Sequence, residues 1–310
     1  MLKRLLIFGV SGFVGPYLAD EFYKQGYEVY GIDQVCTERV PPYVDFQYGD
    51  ILDADSIMSL VHNIMPTHTV NLAAVSSVSQ SWLFPQKTFT VNVNGAINIL
   101  DAVRQKSPET RVLLVGSSEE YAPSNMPLSE DSTLDASNPY GISKVAQERI
   151  AALYRERYGL KIYYVRSFNH TGIGQSETFV IPNWCRQVAM IAKSKKPGIV
   201  YVGNTDVRRD FSCVEEVIHA YRLVIESDDC EVVYNIGSGK AIELKKIIHD
   251  LVVLSNTKID IIRDSEKYRR DDVEIIQCDN TLLKTRLGWA PSKDITEQIT
   301  DIYNYYYKTV

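Results

Sequence analysis

The 310-residue sequence predicts an α/β protein, a doubly wound parallel sheet joined to a smaller C-terminal α/β domain. Three observations predict it. Short apolar runs alternate with longer amphipathic stretches through the first half. A glycine pattern, Gly9-Val10-Ser11-Gly12-Phe13-Val14-Gly15, separates the first apolar run from the first amphipathic stretch. A lone carboxylate, Asp33, closes the second apolar run.

The elements follow in order. Residues 2–8 form the first strand, which ends at Gly9. A helix spans 13–25 and stops at Gly26, a natural C-terminal breaker. Strands follow at 27–32, 44–48, 67–72, 111–115 and 161–165. Helices at 55–64, 86–105 and 140–158 connect them. Beyond Ser167 the rhythm changes, with loops rich in Gly, Asn and Pro at 169–175, 197–198 and 203–206. Helices are expected at 214–226 and 242–255, with one strand at 232–236. Gly288-Trp289-Ala290-Pro291 ends a helix from about Asn280, and a terminal helix follows. The expected boundaries put 1–168, with later pieces about 207–236, in the sheet domain. The second domain takes 169–206 and 237–310.

Composition narrows the class. At 45% hydrophobic and 23% charged residues the chain can bury a core. Lys and Arg number 33 against 39 Asp and Glu, a net charge of −6, so there is no basic footprint for nucleic acid. No apolar run approaches the roughly 20 residues of a membrane span. Lys3-Arg4 precede only four apolar residues before Gly9, short of a signal-peptide core of about 7–15. The five cysteines, at 36, 185, 213, 230 and 278, are odd in number and never spaced C-x-x-C. That pattern predicts buried free thiols in a reducing cytoplasm, without disulfide or structural metal. His62, His68, His219 and His249 show no metal spacing either.

In such sheets ligands sit beyond the carboxyl ends of the strands. Gly9, Gly12 and Gly15, with Ser11, Phe13 and Val14 between them, form a turn that lets a diphosphate approach a helix N-terminus, whose free N–H groups attract anions. Asp33 is placed to accept hydrogen bonds from adenosine ribose hydroxyls and to repel a 2′-phosphate. Gln34-Val35-Cys36 offers no cation for such a phosphate, which favours NAD(H) over NADP(H). Asp50 and Ile51 follow the third strand, where Asp50 would meet the adenine amino group. Asn71-Leu72-Ala73-Ala74 follows the fourth and offers small residues against which a cofactor can lie.

Tyr140 and Lys144 are four apart at the start of a helix opened by Pro139, hence on one helical face. A phenol titrates near about 10, too high for proton exchange at neutrality, and a nearby ammonium lowers that value. Ser117, after the fifth strand, would hold a substrate oxygen. The three suit proton transfer to a carbonyl, or from a carbinol, while a nicotinamide carries the hydride.

Taken with Ser117-Ser118-Glu119, Arg209-Asp210-Phe211 and Leu287-Gly288-Trp289-x-Pro291, these motifs resemble the extended short-chain dehydrogenases/reductases of nucleotide sugars, the NAD-dependent epimerase/dehydratase family. The match runs nearly end to end and implies a Rossmann-type cofactor domain with a C-terminal nucleotide-sugar domain. Gly116–Tyr121, Ser167-Phe168-Asn169-His170 and Gly174-Gln175 are most similar to the GDP-4-keto-6-deoxy-mannose reductases, which make GDP-D-rhamnose, and to their relatives the GDP-mannose 4,6-dehydratases. The resemblance implies that Ser118 and Asn169 contact the sugar or its diphosphate and that Arg209 and Arg269 grip the diphosphate as arginine forks do. It also implies that Asn183, Gly203 and Asn204 line the nucleotide pocket. Arg269 begins Arg-Arg-Asp-Asp-Val, where relatives carry a proline. His170 is expected to shape the pocket. Helices 86–105 and 140–158 are expected to pair across a two-fold axis in a homodimer.

Two reactions stay open. A reductase needs a hydride donor and one acid, which Tyr140, Lys144 and Ser117 provide. A 4,6-dehydratase also needs a base for the C5 proton, and Glu119, two residues after Ser117, fits that place. The local motifs favour the reductase; Asp33, which suits a recycled NAD, leans toward the dehydratase. A nucleotide-sugar epimerase is a third reading. A catalytically idle dinucleotide-binding regulator is a fourth, against which the intact Tyr140, Lys144 and Ser117 speak.

Overall fold

Leu5, Leu6, Ile7 and Phe8 are all fully buried, so the first apolar run has no solvent face. A strand of that kind belongs at the centre of a sheet covered on both sides. A computed structural model of the chain describes residues 2–264 and 273–310 and puts it there.

The first half runs β1 (Arg4–Phe8), α1 (Gly15–Lys24), β2 (Glu28–Asp33), β3 (Asp45–Tyr48), α2 (Ala54–Ile64), β4 (His68–Asn71), α3 (Val78–Leu83) and α4 (Pro85–Phe89). A π-helical turn at Thr90–Asn94 leads into α5 (Gly95–Lys106) and β5 (Arg111–Ser117). A 3-10 turn at Ser118–Glu120 precedes α6 (Pro139–Tyr158) and β6 (Ile162–Ser167). The second half runs β7 (Asn169–Thr171), α7 (Val180–Ser194), β8 (Gly198–Val202), β9 (Arg208–Cys213), α8 (Val214–Glu226) and β10 (Val233–Ile236). It ends with β11 (Ala241–Glu243), α9 (Leu244–Ser255), β12 (Ile259–Arg263), β13 (Ile275–Ile276), α10 (Thr281–Leu287) and α11 (Ile295–Thr309).

Among the described residues the main sheet has seven strands in the order β10-β6-β5-β4-β1-β2-β3, all parallel. The chain builds outward from β1 to β2 and β3, then returns to add β4 on the other side. The crevice at that switch, beyond the ends of β1 and β4, is where such folds bind ligands. One face is covered by α1 and α8, through Leu18, Phe22, Val217 and Tyr221. The other is covered by α2, α5 and α6, through Ile57, Val61, Ile99, Val103 and Ala151. A separate core of Trp184, Val188, Phe211, Ile247, Leu251 and Ile302 unites α7, α9, α11, β8 and β9. β10 joins the main sheet and α8 packs on it, whereas β9 pairs with β7, β11 and β13 in a second sheet.

Several expectations change. The helix expected over 86–105 is α4, a π-turn and α5, because Asn92 turns inward to hydrogen-bond buried partners. Ile242 is a strand residue opposite Arg209, so the helix expected from 242 begins at Leu244. β5 extends to Ser117, which pairs with Ser167 at the strand end rather than following it. α7 went unpredicted although Ile181, Trp184, Cys185, Val188, Ala189 and Ala192 are its buried stripe at helical spacing. Of the free cysteines, Cys185, Cys213 and Cys278 are buried, Cys230 is half-buried, and Cys36 is exposed, contrary to expectation. No helix among the described residues is long and apolar enough to cross a membrane, and no cluster of metal-ligating side chains occurs among them.

Candidate active site

The glycine loop is shaped by what surrounds it. Gly9 has φ +82°, and a Cβ there would stand 2.7 Å from the Ala73 nitrogen. A Cβ at Gly15 would stand 2.1 Å from the Val10 carbonyl oxygen, so α1 packs directly on the loop. Gly12 is exposed. α1 has no side-chain cap and no acidic residue in its first turn, which leaves its N–H groups available to an anion. The Ser11 hydroxyl is buried with no hydrogen-bond partner. An orphaned hydroxyl beside uncapped amides fits a bound phosphate group. Asp33 braces the loop: its Oδ2 accepts from Ser11 N at 3.0 Å, and its Oδ1 from Gln34 N at 2.8 Å. Asp50 accepts from Leu52 N at 2.9 Å and from Gln34 Nε2 at 2.8 Å, which places it beside the same loop. Ile51 is buried and would meet any side chain added at Gly95. Leu72, Ala73 and Ala74 follow β4 and are half-buried, with Ala73 N donating to Asn71 Oδ1 at 3.1 Å.

Sequence reasoning missed Arg39. It donates to Gly174 O at 3.0 Å, Phe13 O at 3.3 Å and Ile173 O at 3.4 Å, tying the glycine loop to the segment between β7 and α7. Gly174, at φ +89°, leaves the space its guanidinium occupies. His170 stacks on Phe13 with ring centroids 6.1 Å apart, and burial pushes its imidazole below the ordinary value. It therefore acts as a neutral wall between the two segments.

Ser117, Tyr140 and Lys144 converge at the ends of β5 and α6, and all three are buried. The Ser117 hydroxyl faces Tyr140 and accepts from Glu119 N at 3.2 Å. Lys144 Nζ lies 5.9 Å from the phenol ring centroid and donates to Val115 O at 2.7 Å and Gln147 Oε1 at 3.3 Å. The expected lowering of the phenol is not what the geometry produces. Burial pushes Tyr140 above its ordinary value, with Ser117 opposing this. Burial also pulls the Lys144 ammonium down to about 8. Desolvation outweighs charge here because both groups leave water. Burial thus favours the protonated phenol, the state required of an acid.

Glu119 is half-buried, and its Oε2 accepts from Asn138 Nδ2 at 2.8 Å. Asn138 also caps α6, its Oδ1 accepting from Gly141 N at 2.9 Å. Ser118 is buried in the same 3-10 turn. The π-turn supplies a second residue that the sequence did not reveal. Asn92 Oδ1 accepts from Val75 N at 2.8 Å, and its Nδ2 donates to Ser143 Oγ at 2.9 Å. Gln147 Nε2 donates to Asn92 O at 3.0 Å, so this turn holds the residue that holds Lys144. A turn of this kind inside a helix is itself a common functional mark.

The candidate substrate residues fall into two groups. Asn169 in β7 is opposite Phe211, two residues beyond Arg209 on the neighbouring β9. Arg209 donates to Val273 O at 2.7 Å and to Arg208 O at 2.9 Å. Asn183 in α7 accepts from Gln187 Nε2 at 2.7 Å, and Gln187 also bonds the backbone of Tyr201, which brings Asn183 toward Gly203 and Asn204. Asn204 accepts from Asp206 N at 3.1 Å in a tight turn. Arg269 lies outside the described residues.

The family model of GDP-mannose 4,6 dehydratase matches residues 6–302. A GDP-6-deoxy-D-mannose reductase of Pseudomonas aeruginosa is 28% identical over 305 residues, covering 97% of this chain and 96% of that one. A GDP-mannose 4,6-dehydratase of Yersinia enterocolitica is 27% identical, covering 97% of this chain and 93% of that one. The solved structure of RMD from Pseudomonas aeruginosa complexed with NADPH superposes with a TM-score of 0.86 at 26% identity, covering 99% of this chain and 100% of that one. The chain belongs to the GDP-mannose 4,6-dehydratase family of extended short-chain dehydrogenases/reductases, with the Rossmann-type fold that the resemblance implied.

Proposed function

We propose that the chain is a nucleotide-sugar 4-ketoreductase that reduces GDP-4-keto-6-deoxy-D-mannose, or a close GDP-sugar, at C4. The observation that carries this reading is the convergence of three buried residues, Ser117, Tyr140 and Lys144, where β5 ends and α6 begins. A ketone oxygen seated between these hydroxyls accepts a hydrogen bond from each in the ground state. As charge develops on that oxygen, Tyr140 passes its proton over, and Ser117 steadies the oxygen during the transfer. A bound NAD(P)H supplies the hydride. Lys144 offsets the charge left on the phenolate and would bind the nicotinamide ribose.

The remaining roles divide by position. Ser11, Gly12 and the start of α1 would hold the cofactor diphosphate. Asp33 would take the adenosine ribose and favour NADH over NADPH. Asp50 and Ile51 would meet the adenine, and Leu72, Ala73 and Ala74 would lie along the cofactor. Ser118 and Asn169 would meet the sugar. Arg209, Asn183, Gly203 and Asn204 would take the nucleoside diphosphate. Residues 1–168 with parts of 207–236 serve the cofactor, and 169–206 with 237–310 serve the sugar. Ile142 and Leu153 on α6 and Phe89 at the end of α4 are exposed, which supports pairing of these helices in a homodimer.

The GDP-mannose 4,6-dehydratase reading is kept for one reason: Glu119 is a half-buried carboxylate next to Ser117. A paired incubation separates the two. The 4-keto-6-deoxy sugar with NADH should oxidise the cofactor and yield a 6-deoxy product. GDP-mannose alone should be returned unchanged. Loss of water from GDP-mannose, seen by mass, would replace the reductase with the dehydratase.

A further inference from the structure

Glu120 is the most buried charged side chain beside the catalytic group, with none of its surface exposed. Its Oε1 accepts from Ser117 N at 2.7 Å and lies 3.3 Å from the Tyr164 hydroxyl. Gly116 has no side chain because a Cβ there would stand 2.3 Å from that oxygen. Its Oε2 is buried and meets no donor. What faces the Glu120 carboxyl is a second carboxyl, Glu148 of α6, within hydrogen-bonding reach.

Two carboxylates cannot both stay ionised at such a contact in the interior; one must carry a proton. The surroundings decide which. Arg166 grips Glu148 with two charge-assisted bonds, Nε to Oε2 at 2.8 Å and Nη2 to Oε1 at 2.6 Å. Among the described residues no lysine or arginine hydrogen-bonds Glu120, whose donors are Ser117 N and the Tyr164 hydroxyl. We infer that Glu120 stands as a neutral acid whose proton is shared with Glu148, and that this proton positions Ser117 beside Tyr140. Glu120 is thus a positioning residue. It joins the end of β5 to α6 twice, through Glu148 and through Tyr164, whose hydroxyl also donates to Lys144 O at 2.9 Å.

Every charged or titratable neighbour bears on that proton. From α6 come Glu148, Lys144 and Tyr140; from β6 come Tyr164 and Arg166; Tyr121 bonds Arg166 from the following loop at 2.8 Å. Burial first, then Glu148, pushes the Glu120 carboxyl up to about 8, against Ser117 N and Arg166. In the unfolded chain a glutamate titrates near about 4.3. Its folded value is raised, so its stabilising effect is complete below the unfolded value and is lost as pH rises through about 8.

Glu120→Gln imitates the protonated state: its amide oxygen accepts from Ser117 and its NH2 donates to Glu148. Thermal unfolding of the whole protein, without ligand, is measured from about pH 6.5 to about pH 8 for wild type and this variant. The wild-type unfolding constant should rise with pH relative to the variant's, by up to about tenfold per pH unit. Equal slopes overturn the shared proton. Should the variant not fold, wild-type protein labelled with carbon-13 at its glutamate carboxyls decides: one resonance should titrate far above the others, and its absence refutes the inference. The kinetic arm rests on the reductase reading. At about pH 6.5, Glu120→Gln should keep kcat within about twofold, and Glu120→Leu should lose roughly tenfold with KM unchanged. A Gln variant as slow as the Leu variant overturns the positioning role. A wild-type protein inactive on the 4-keto sugar sinks the reductase reading alone, because the unfolding slopes and the resonance need no turnover.

Discussion

The two halves of the molecule are built on different terms. In the sheet half, β1, β4 and β6 are buried on both faces, as central strands of a covered sheet are. In the other half the strands are two to six residues long, and β12 buries only its first. Ile199, Tyr201, Ile261 and Ile262 remain exposed on β8 and β12. The first half positions chemistry by topology; the second presents loops and short strands around a separate core. Damage to the first should therefore strike turnover or folding, and damage to the second should strike substrate recognition.

The sharpest break is Tyr140→Phe. It keeps the ring and removes the proton, so kcat for ketoreduction should fall roughly 10²–10⁴-fold. Titration of the cofactor should show unchanged affinity; a variant with wild-type turnover removes Tyr140 from the chemistry. Gly15→Ala comes next. The added methyl meets the Val10 carbonyl oxygen at 2.1 Å, so the loop or α1 must move. We expect a loss of about 1–3 kcal/mol of stability, read from denaturant midpoints, together with weaker cofactor binding. An unchanged midpoint would mean that α1 does not pack as described.

Arg209→Ala tests the other half. It should raise KM for the GDP-sugar roughly tenfold and leave cofactor affinity alone, as expected for a lost diphosphate contact. Weakened cofactor binding instead would erase the division of labour between the halves. Asp33→Ala should have the smallest effect, narrowing any preference for NADH over NADPH by about fivefold. Competition kinetics with both cofactors measures it, and an unaltered ratio takes Asp33 away from the ribose.

The same contrast governs what could be read from the chain. The glycine loop, the strands around it and the Tyr140/Lys144 pair are legible because each is written within a few consecutive residues. Helix α6 begins where Asn138 and Pro139 announce it and ends at Gly159, in the left-handed conformation. β7, β11 and β13 were not legible, since two or three residues carry no periodicity and their partner, β9, is remote in the chain. β13 pairs with β9, far back in the chain. Ile242 looked helical because only Arg209, across the second sheet, makes it a strand residue.

By itself the sequence determined a parallel sheet, a turn able to receive a diphosphate at a helix start, and a tyrosine and lysine on one helical face. Only the tertiary structure decided that burial raises the phenol above its ordinary value, that Asn92 braces α6 from a π-turn, and that Glu120 meets Glu148. The physical reason is the range of each effect. Propensity and spacing act over a turn or a strand, whereas desolvation and hydrogen-bond partnership depend on groups that only folding brings together.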